Sequence, residues 1–582
     1  MQQAWFEMSE IRKRNLEGAV WIPLRASESQ ETGDYGHLNY KYELFGLGSL
    51  AVPLSMREQA KALSWSDIGL VHTSGPYATK ATYKPADIYS RDGVTDFGVD
   101  LVLEQSFEGA APTEWHLNQD LVIALGLYRE GDDWLCPKEG YVDVAHLRRS
   151  ADGEIAKIEI RNEFLKDYLC ARQMALKTTS YRTRRVVLEN ADHIVWPPGG
   201  IRESTERDRF ETRVIEIHEG GGAFGAETAV FHVSRTDMDQ EVDVPTLPNP
   251  ADGEIESKSW RMKRKGRKLF HVEGELWRDE WIEPAAVSPR VRWDDVPSTC
   301  YFITDAAGTR QVSDELRNED VGRWLWFQPA VIRSLMERRG GSLEWYTRHT
   351  GGVQALHGYN VHFGINAKDF ITVYAYDIAR LPEWQQRIWQ GFNIAPDGKV
   401  SEELLAAQVR ASPADTKAPE SELAAALDDL DDAFFSRWAV RVMRHHPDTN
   451  AIIQRTHRFR ALNKEGLLEL AKDVARLTID SFNVSSLHAI APLAKTEKKG
   501  SLKSLECAIG TLVPASDAHR MMAPFFGIYE LRLGDAHPTK SGIEDSFELV
   551  GIDGRASHLT KGIQLLDAAV GVIKEVAATI RI

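Results

Sequence analysis

An arginine and a histidine lie close together near the C-terminus, in the segment YELRLGDAHP at residues 529–538. Cleavage of a phosphodiester bond without a metal needs a group that exchanges a proton and a cation that stabilises the developing negative charge. Histidine suits the first task because its pKa is near neutrality, and arginine suits the second because its guanidinium stays charged. The residue types of Arg532 and His537 are therefore compatible with a site that cleaves RNA.

The spacing of this pair does not by itself distinguish it from others in the chain. An arginine precedes a histidine with four or six residues between them at Arg213/His218, Arg264/His271, Arg441/His446 and Arg532/His537. The first two pairs lie in predicted strands or turns, and we interpret them as structural. The last two lie in predicted helical segments, and each histidine precedes a proline. Because a residue before proline disfavours the helical conformation, we predict that each helix ends there.

The same residues also fit an ordinary helix end. Cationic side chains in the last turn of a helix interact with its free carbonyls and its dipole, and proline is common just beyond the end. For Arg532 and His537 this structural interpretation stays open beside the catalytic one. Tyr529 and Asp535 flank the pair and could orient the histidine or bind a nucleotide.

A second basic segment, residues 437–460, is a candidate for RNA contact. It contains six Arg and one Asp, and Arg441, Arg444 and His446 lie within it. The bland interpretation, a solvated helix face, is favoured for Arg441 and His446. If Arg532 and His537 do not form the catalytic site, this segment is its alternative location.

The overall charge is acidic but unevenly distributed. The 582 residues carry a net charge of −16, which argues against a protein that coats nucleic acid without specificity. Residues 421–582 hold 20 Lys and Arg against 21 Asp and Glu, so the C-terminal part is almost neutral. Local contact with a phosphate chain is compatible with this distribution.

The remaining signals mostly exclude other classes of protein. Four cysteines lie far apart without a CxxC pair, which predicts a reducing cytoplasm and no disulfide: Cys136, Cys170, Cys300 and Cys507. The sequence predicts neither a signal peptide nor a membrane span. Walker A, GxSxG, HExxH and EF-hand spacings are absent, so we predict no metal and no cofactor.

Hydrophobic periodicity predicts a multidomain α+β fold, with a β-rich N-terminal region followed by an all-α C-terminal helical bundle. Alternating patterns predict a β-rich domain over 1–245 and an α+β domain over 246–410, which could be continuous with the first. The small, polar and aperiodic segment 411–422 is predicted to be a linker. Residues 423–582 hold four or five amphipathic segments, which is typical of a helical bundle.

Two of these amphipathic segments have clear signals. In the first, Asn463 is the predicted N-cap, and the apolar stripe is Leu467, Leu470, Val474 and Leu477. In the last, the stripe is Leu559, Ile563, Leu566, Val570 and Ile573.

The C-terminal 160 residues resemble a HEPN domain, the helical bundle of many prokaryotic RNases from toxin–antitoxin and antiphage systems. The resemblance is carried by a helix, the segment IYELRLGDAHP and a final helix. This arrangement is similar to the Tyr-x-Leu-Arg-x4-His segment of abortive-infection HEPN proteins of the ApeA kind. It departs from the family at Leu533, where a polar residue, often Asn, is usual.

The resemblance implies that Arg532 and His537 form the catalytic Arg-x4-His motif. Cleavage would then be metal-independent and leave a cyclic phosphate, and two motifs would face one another in a homodimer or higher homo-oligomer. The implied function is an antiphage effector that cuts tRNA or mRNA, with residues 1–410 sensing a phage-derived trigger. The alternative is a non-catalytic ligand-binding or dimerisation protein with a HEPN-like bundle.

Overall fold

A computed structural model describes residues 2–69, 77–78, 80, 83–91, 95–107, 111–222, 227–235, 255–263, 266–318, 322–444, 447–492, 500–533 and 540–582. The chain forms two compact units, Met1–Pro137 with Tyr141–Val296, and Lys138–Gly140 with Pro297–Ile582. The predicted boundaries lie elsewhere, near residue 245 and at 411–422. The helical bundle and the α+β region before it thus belong to one unit.

The first unit is rich in strands and contains five short helices within its described residues. Its strands are β1 (Trp21–Thr32), β2 (Lys41–Pro53), β3 (Tyr77–Ala78), β4 (Tyr83–Lys84), β5 (Ile88–Ser90), β6 (Asp96–Val99), β7 (Val102–Phe107), β8 (Ala111–Leu117), β9 (Tyr128–Glu130), β10 (Asp133–Cys136), β11 (Val142–Arg149), β12 (Ile155–Arg161), β13 (Met174–Leu188), β14 (Arg202–Ser204), β15 (Asp208–His218), β16 (Glu227–Arg235), β17 (Ile255–Lys263) and β18 (Lys268–Ile282). Its helices are α1 (Gln3–Glu7), α2 (Ser9–Arg12), α3 (Arg57–Ala60), α4 (Gln119–Leu125) and α5 (Asn162–Arg172).

One large antiparallel sheet organises the first unit. Its order is β14-β15-β18-β13-β2-β1-β12-β11-β10-β9, with β6 paired to β2 and β5 to β6. The long strand β13 lies at its centre, paired to β2 on one side and β18 on the other. Helices α4 and α5 contribute apolar side chains such as Leu121 and Leu165 to a core with the sheet. The predicted β-rich character of the N-terminal region is confirmed.

The second unit combines a smaller sheet with the helices of the C-terminal region. Its strands are β19 (Tyr301–Ile303), β20 (Arg310–Val312), β21 (Trp324–Phe327), β22 (Ser342–Trp345), β23 (Thr350–Gln354), β24 (Val361–Ile365), β25 (Ile371–Tyr374) and β26 (Asn393–Ile394). Six of them form an antiparallel sheet in the order β22-β23-β24-β25-β21-β26, and β19 pairs with β20. Its helices are α6 (Ala330–Met336), α7 (Ala375–Ala379), α8 (Glu383–Phe392), α9 (Glu402–Gln408), α10 (Pro419–Trp438), α11 (Thr449–Arg455), α12 (Lys464–Leu477), α13 (Val484–Ile490), α14 (Ser501–Ile509), α15 (Ala515–Leu533), α16 (Lys540–Val550) and α17 (His558–Arg581).

Helices α10 to α17 form a bundle with a continuous apolar core. Asn463 caps α12 as predicted, because its Oδ1 accepts from the amide of Gly466 at 2.8 Å. Both predicted stripes, on α12 and α17, are buried. The mixed α+β class, with a large N-terminal sheet and C-terminal helices, is therefore confirmed.

The end of α10 differs from the sequence pattern. The apolar stripe predicts a helix up to Pro447, whereas α10 ends at Trp438 and Ala439 adopts a left-handed φ of 56°. The cause is a tertiary hydrogen bond, since Oδ1 of Asp431 accepts from the amides of Val442 and Met443 at 2.7 and 2.9 Å. Met443 also forms an antiparallel bridge with Phe482. The segment with Arg441 and Arg444 thus leaves the helix and runs beside the end of α12.

A close helix contact positions the C-terminal end of α15. A Cβ atom on Gly527 would lie 2.6 Å from Val550 Cγ2 and 2.9 Å from the carbonyl oxygen of Ser546. Only glycine therefore allows α16 to approach α15 this closely. The sequence pattern predicts one final helix after the Arg532 segment, whereas α16 precedes the last helix, α17.

The described residues contain no helix that is both long and apolar enough to span a bilayer. All four cysteines are free thiols.

Candidate functional site

Arg532 lies in the last turn of α15, as the sequence predicts, but its guanidinium does not turn back to the helix end. Its Nη1 donates to Oδ1 of Asp480 at 2.5 Å, and Asp480 follows α12 in the chain. Both side chains are partly exposed, so solvent screens this ion pair. The pair joins the end of α15 to the segment that follows α12.

Arg444 reaches the same residue from the second basic segment. Its Nη2 donates to the main-chain carbonyl of Asp480 at 2.7 Å, and its amide donates to the carbonyl of Ser481 at 2.8 Å. The two arginine–histidine segments, far apart in sequence, therefore converge at Asp480. Sequence spacing gave no indication of this convergence.

The convergence lies at the rim of a cleft in the bundle. The cleft has a volume of about 620 Å³, and it is lined by Arg444, Asp448, Thr449, Ile452, Arg455, Arg476, Leu477, Asp480 and Ser481. Three arginines and two aspartates line it, so the positive charges are in excess by one. We call this depression the Asp480 cleft.

A buried carboxylate organises three of the arginines around the Asp480 cleft. Asp473 on α12 accepts from Arg455 Nε and Nη2 at 2.9 and 2.8 Å, and Arg476 and Arg460 lie 3.4 and 3.5 Å from it. The hydrogen bonds that Arg455 donates to Asp473 raise the pKa of Arg455. Three guanidinium groups thus share one carboxylate, which leaves net positive charge that a phosphate would neutralise.

Arg441 has a structural environment instead. Its guanidinium donates to Asp432 and Asp431 at 2.6 and 3.0 Å and lies over the Phe435 ring. These hydrogen bonds, above all the one donated to Asp432, raise the pKa of Arg441. Arg441 is thus tied to the carboxylate that turns the chain after α10, which agrees with its structural interpretation.

Three of the predicted site residues lie outside the described residues: His446, Asp535 and His537. Tyr529 is described, and it lies one turn before Arg532 on α15, with the Arg532 guanidinium 5.9 Å from its ring centroid. Its ring is partly exposed, which would allow a base to stack on it. The described part of the site therefore supplies cations and an aromatic ring.

The partners that assemble the site were not predicted from the sequence. Asp473, Arg476 and Asp480 lie on or just after α12, which the apolar stripe marks only as a core helix. Arg455 lies in the predicted basic segment 437–460, but its cleft position depends on packing against α12. An Asp and an Arg three residues apart, at 473 and 476, were the available signal.

A second cleft, in the first unit, is lined by β1, β2, β13 and the β11–β12 hairpin, with a volume of about 710 Å³. Glu28, Phe45 and Arg182 form a row across three strands, and the Arg182 guanidinium lies 3.6 Å from the Phe45 ring centroid. Burial lowers the pKa of Arg182 to about 10. Within the described part of the chain, no carboxylate forms an ion pair with Arg182. We call this the Arg182 cleft.

Among the described residues, no group of three or more His, Cys, Asp and Glu side chains is arranged to hold a metal ion. Comparisons with models of protein families, with curated proteins and with solved structures found no match to this chain.

Proposed function

We propose that this protein is an RNA-cleaving effector of antiphage defence, with its site at the end of α15 and the Asp480 cleft. One observation carries the proposal: Arg532 and Arg444, from the two basic segments, meet at Asp480 on the rim of an arginine-lined cleft. Clustered arginines beside an exposed aromatic ring suit single-stranded RNA, whose phosphates need cations and whose bases stack.

In the proposed reaction, the phosphates of RNA lie along Arg444, Arg455 and Arg476. Arg532 exchanges its contact with Asp480 for the scissile phosphate and stabilises the charge that develops on it. His537 carries one of the two proton transfers, either from the 2′-hydroxyl or to the leaving 5′-oxygen, and water carries the other. The 2′-oxygen attacks phosphorus, the bond to the 5′-oxygen breaks, and a cyclic phosphate remains. No metal takes part.

The first unit is proposed to sense the trigger. The Arg182 cleft supports this role, because a partly buried cation without an ion-pair partner among the described residues favours an anionic ligand. We further propose that the active form is a homodimer or higher homo-oligomer in which two α15 ends face each other.

The test uses the purified full-length protein and tRNA and mRNA substrates in the presence of EDTA. Cleavage is expected, and the His537→Ala and Arg532→Gln variants are expected to lose at least about 100-fold in rate, as for removal of a general acid–base group. His519→Ala is the matched control, because His519 is exposed and lies near the N-terminal end of α15, at the opposite end from Arg532. Wild-type rates in His537→Ala would exclude the catalytic assignment.

A second candidate function is a non-catalytic ligand-binding or dimerisation protein. Its support is the Arg532–Asp480 ion pair, which already compensates the charge that catalysis needs, together with the exposed Leu533 beside it. This candidate predicts no RNA cleavage under any condition and full function in His537→Ala.

A further inference from the structure

A small recess in the second unit lies next to the Asp480 cleft and shares Arg455 with it. Its volume is about 270 Å³, and α6, α11 and the turn Arg458–Arg460 form its walls. This volume is below the roughly 300–1,000 Å³ that is typical of sites for drug-sized ligands. The recess therefore fits a small polar group better than a whole cofactor.

The charged lining of the recess is predominantly basic. Arg333, Arg455 and Arg460 line it, and Glu337 is the carboxylate among its lining residues. Arg333 Nε donates to Glu337 Oε1 at 2.7 Å, while Arg455 and Arg460 share the buried Asp473 with Arg476. The guanidinium groups retain N–H donors beyond these contacts, because each carries five.

A buried histidine side chain also lines the recess. His457 has only 5% of its surface exposed, and its Nδ1 makes no hydrogen bond to any residue that the structure describes. A buried polar atom without a partner is costly, and such atoms in native proteins commonly mark an absent ligand or water. Burial lowers the pKa of His457 to about 4; the charge of Glu420 opposes this shift, and the charges of Arg460 and Arg333 add to it. An anion in the recess would accept a hydrogen bond from Nδ1 and add negative charge beside Arg460 and Arg333.

We propose that this recess binds a phosphate group, held by Arg333, Arg455, Arg460 and His457 Nδ1. A phosphate suits these donors better than a carboxylate, since it carries up to two negative charges and more acceptor oxygens. The phosphate can come from a free phosphate compound or from the 5′ end of an RNA strand in the neighbouring cleft. Binding does not require cleavage, so this inference stands or falls separately from the catalytic role of His537.

The test measures binding of inorganic phosphate to the full-length protein by isothermal titration calorimetry. A dissociation constant of about 1 mM or tighter is expected. Arg333→Gln is expected to weaken binding about tenfold, which corresponds to ~1.4 kcal/mol. Glu337→Gln is expected to tighten it, because it removes the carboxylate that competes for Arg333. Arg338→Gln is the matched control, as it removes the same charge outside the recess, and it should bind as the wild type does.

The variants His457→Gln and His457→Phe distinguish a hydrogen bond donated by residue 457 from the packing of its ring. Glutamine can still donate a hydrogen bond, so it should bind more tightly than phenylalanine, provided that both variants show wild-type circular dichroism. No phosphate binding by the wild type overturns the inference, and so does equal weakening by Arg333→Gln and Arg338→Gln.

The source of the phosphate is distinguished with 2′-O-methyl RNA, which cannot be cleaved through its 2′-oxygen. Tighter binding of a 5′-phosphorylated strand than of its 5′-hydroxyl counterpart, lost in Arg333→Gln, assigns the recess to an RNA end. Equal binding of both strands, with inorganic phosphate still bound, assigns it to a free phosphate compound.

Discussion

Arg532 Nη1 and Asp480 Oδ1 form an ion pair of 2.5 Å that joins the end of α15 to the segment after α12. The pair decides how available Arg532 is to a phosphate. Asp480→Asn keeps the shape of the side chain and the main-chain carbonyl that Arg444 contacts, but removes the negative charge. We expect 2′-O-methyl RNA to bind about three- to tenfold more tightly to this variant, which is ~0.7–1.4 kcal/mol. Asp517→Asn, at the other end of α15, is the control, and unchanged affinity in Asp480→Asn would contradict the proposed contact.

The arginines of the Asp480 cleft should determine how RNA binding depends on salt. Each phosphate contact that is lost lowers the slope of log K against log salt concentration by about 0.7 for a single strand. Arg444→Gln and Arg476→Gln are each expected to lower the slope by this amount, as measured by fluorescence anisotropy. Arg441→Gln should leave the slope unchanged, because Asp431 and Asp432 already hold that guanidinium. An equal loss in all three variants would mean that the arginines act only through net charge.

The contact between α15 and α16 should be sensitive to a single methyl group. Gly527→Ala introduces a Cβ atom 2.6 Å from Val550 Cγ2 and 2.9 Å from Leu549 Cβ, so the helices must separate. We expect a loss of about 1–3 kcal/mol in the free energy of unfolding, measured by urea denaturation. RNA cleavage should fall with it, because the segment after Arg532 connects the two helices. Gly571→Ala in α17 meets no atom within 4 Å and should stabilise the protein by up to about 1 kcal/mol.

A buried ion pair fixes the start of α10 within the second unit. The guanidinium of Arg458 and the carboxylate of Glu420 are 1% and 4% exposed, and they form two hydrogen bonds of 2.7 Å. Glu420→Gln leaves the buried cation uncompensated and should cost about 3–5 kcal/mol of stability. Glu422→Gln breaks the more exposed pair with Lys574 and should cost at most about 1 kcal/mol. The rate of hydrogen exchange of the α10 amides measures the loss of stability in each of the two variants.

Acid should also weaken this ion pair. Burial acts to raise the pKa of Glu420, but the charge and hydrogen bonds of Arg458 outweigh it, so the pKa is lowered below 4.5. A carboxylate with a lowered pKa in the folded state contributes stability above its unfolded pKa and loses it as the pH falls further. The difference in stability between wild type and Glu420→Gln should therefore shrink below about pH 4.5.

The stability of the second unit should also depend on pH through His457, in a pH range above that of the Glu420 effect. Its pKa is about 4 in the folded protein and 6.5 without burial, so the unfolded chain binds more protons between these values. We expect the free energy of unfolding to fall by about 3 kcal/mol as the pH is lowered through this window. His457→Phe should lack this component when the two proteins are compared by urea denaturation. Parallel pH profiles would show that His457 is not buried in its neutral form.

The sequence by itself determined the local elements and the general class of the fold. The stripes of α12 and α17 and the cap at Asn463 follow from the 3.6-residue period and from capping chemistry, which depend only on nearby residues. The strand Trp324–Phe327 and the helix that begins after Pro329 are local elements too, since aromatic and apolar residues favour a strand and proline favours the first turn of a helix. Composition also indicated the contrast between the strand-rich N-terminal region and the helical C-terminal one.

Tertiary structure decided where helices end and which charges meet. The apolar stripe of α10 continues beyond Trp438, but a hydrogen bond from the amide of Val442 to Asp431 ends the helix earlier. Arg532 meets Asp480 across 52 residues of sequence, and Arg455 meets Asp473 across 18. Such contacts depend on how helices pack, and packing is set by the shape of a shared core rather than by local periodicity. The residue types and their position at a predicted helix end therefore indicated a candidate, while only the packed bundle brought its arginines together.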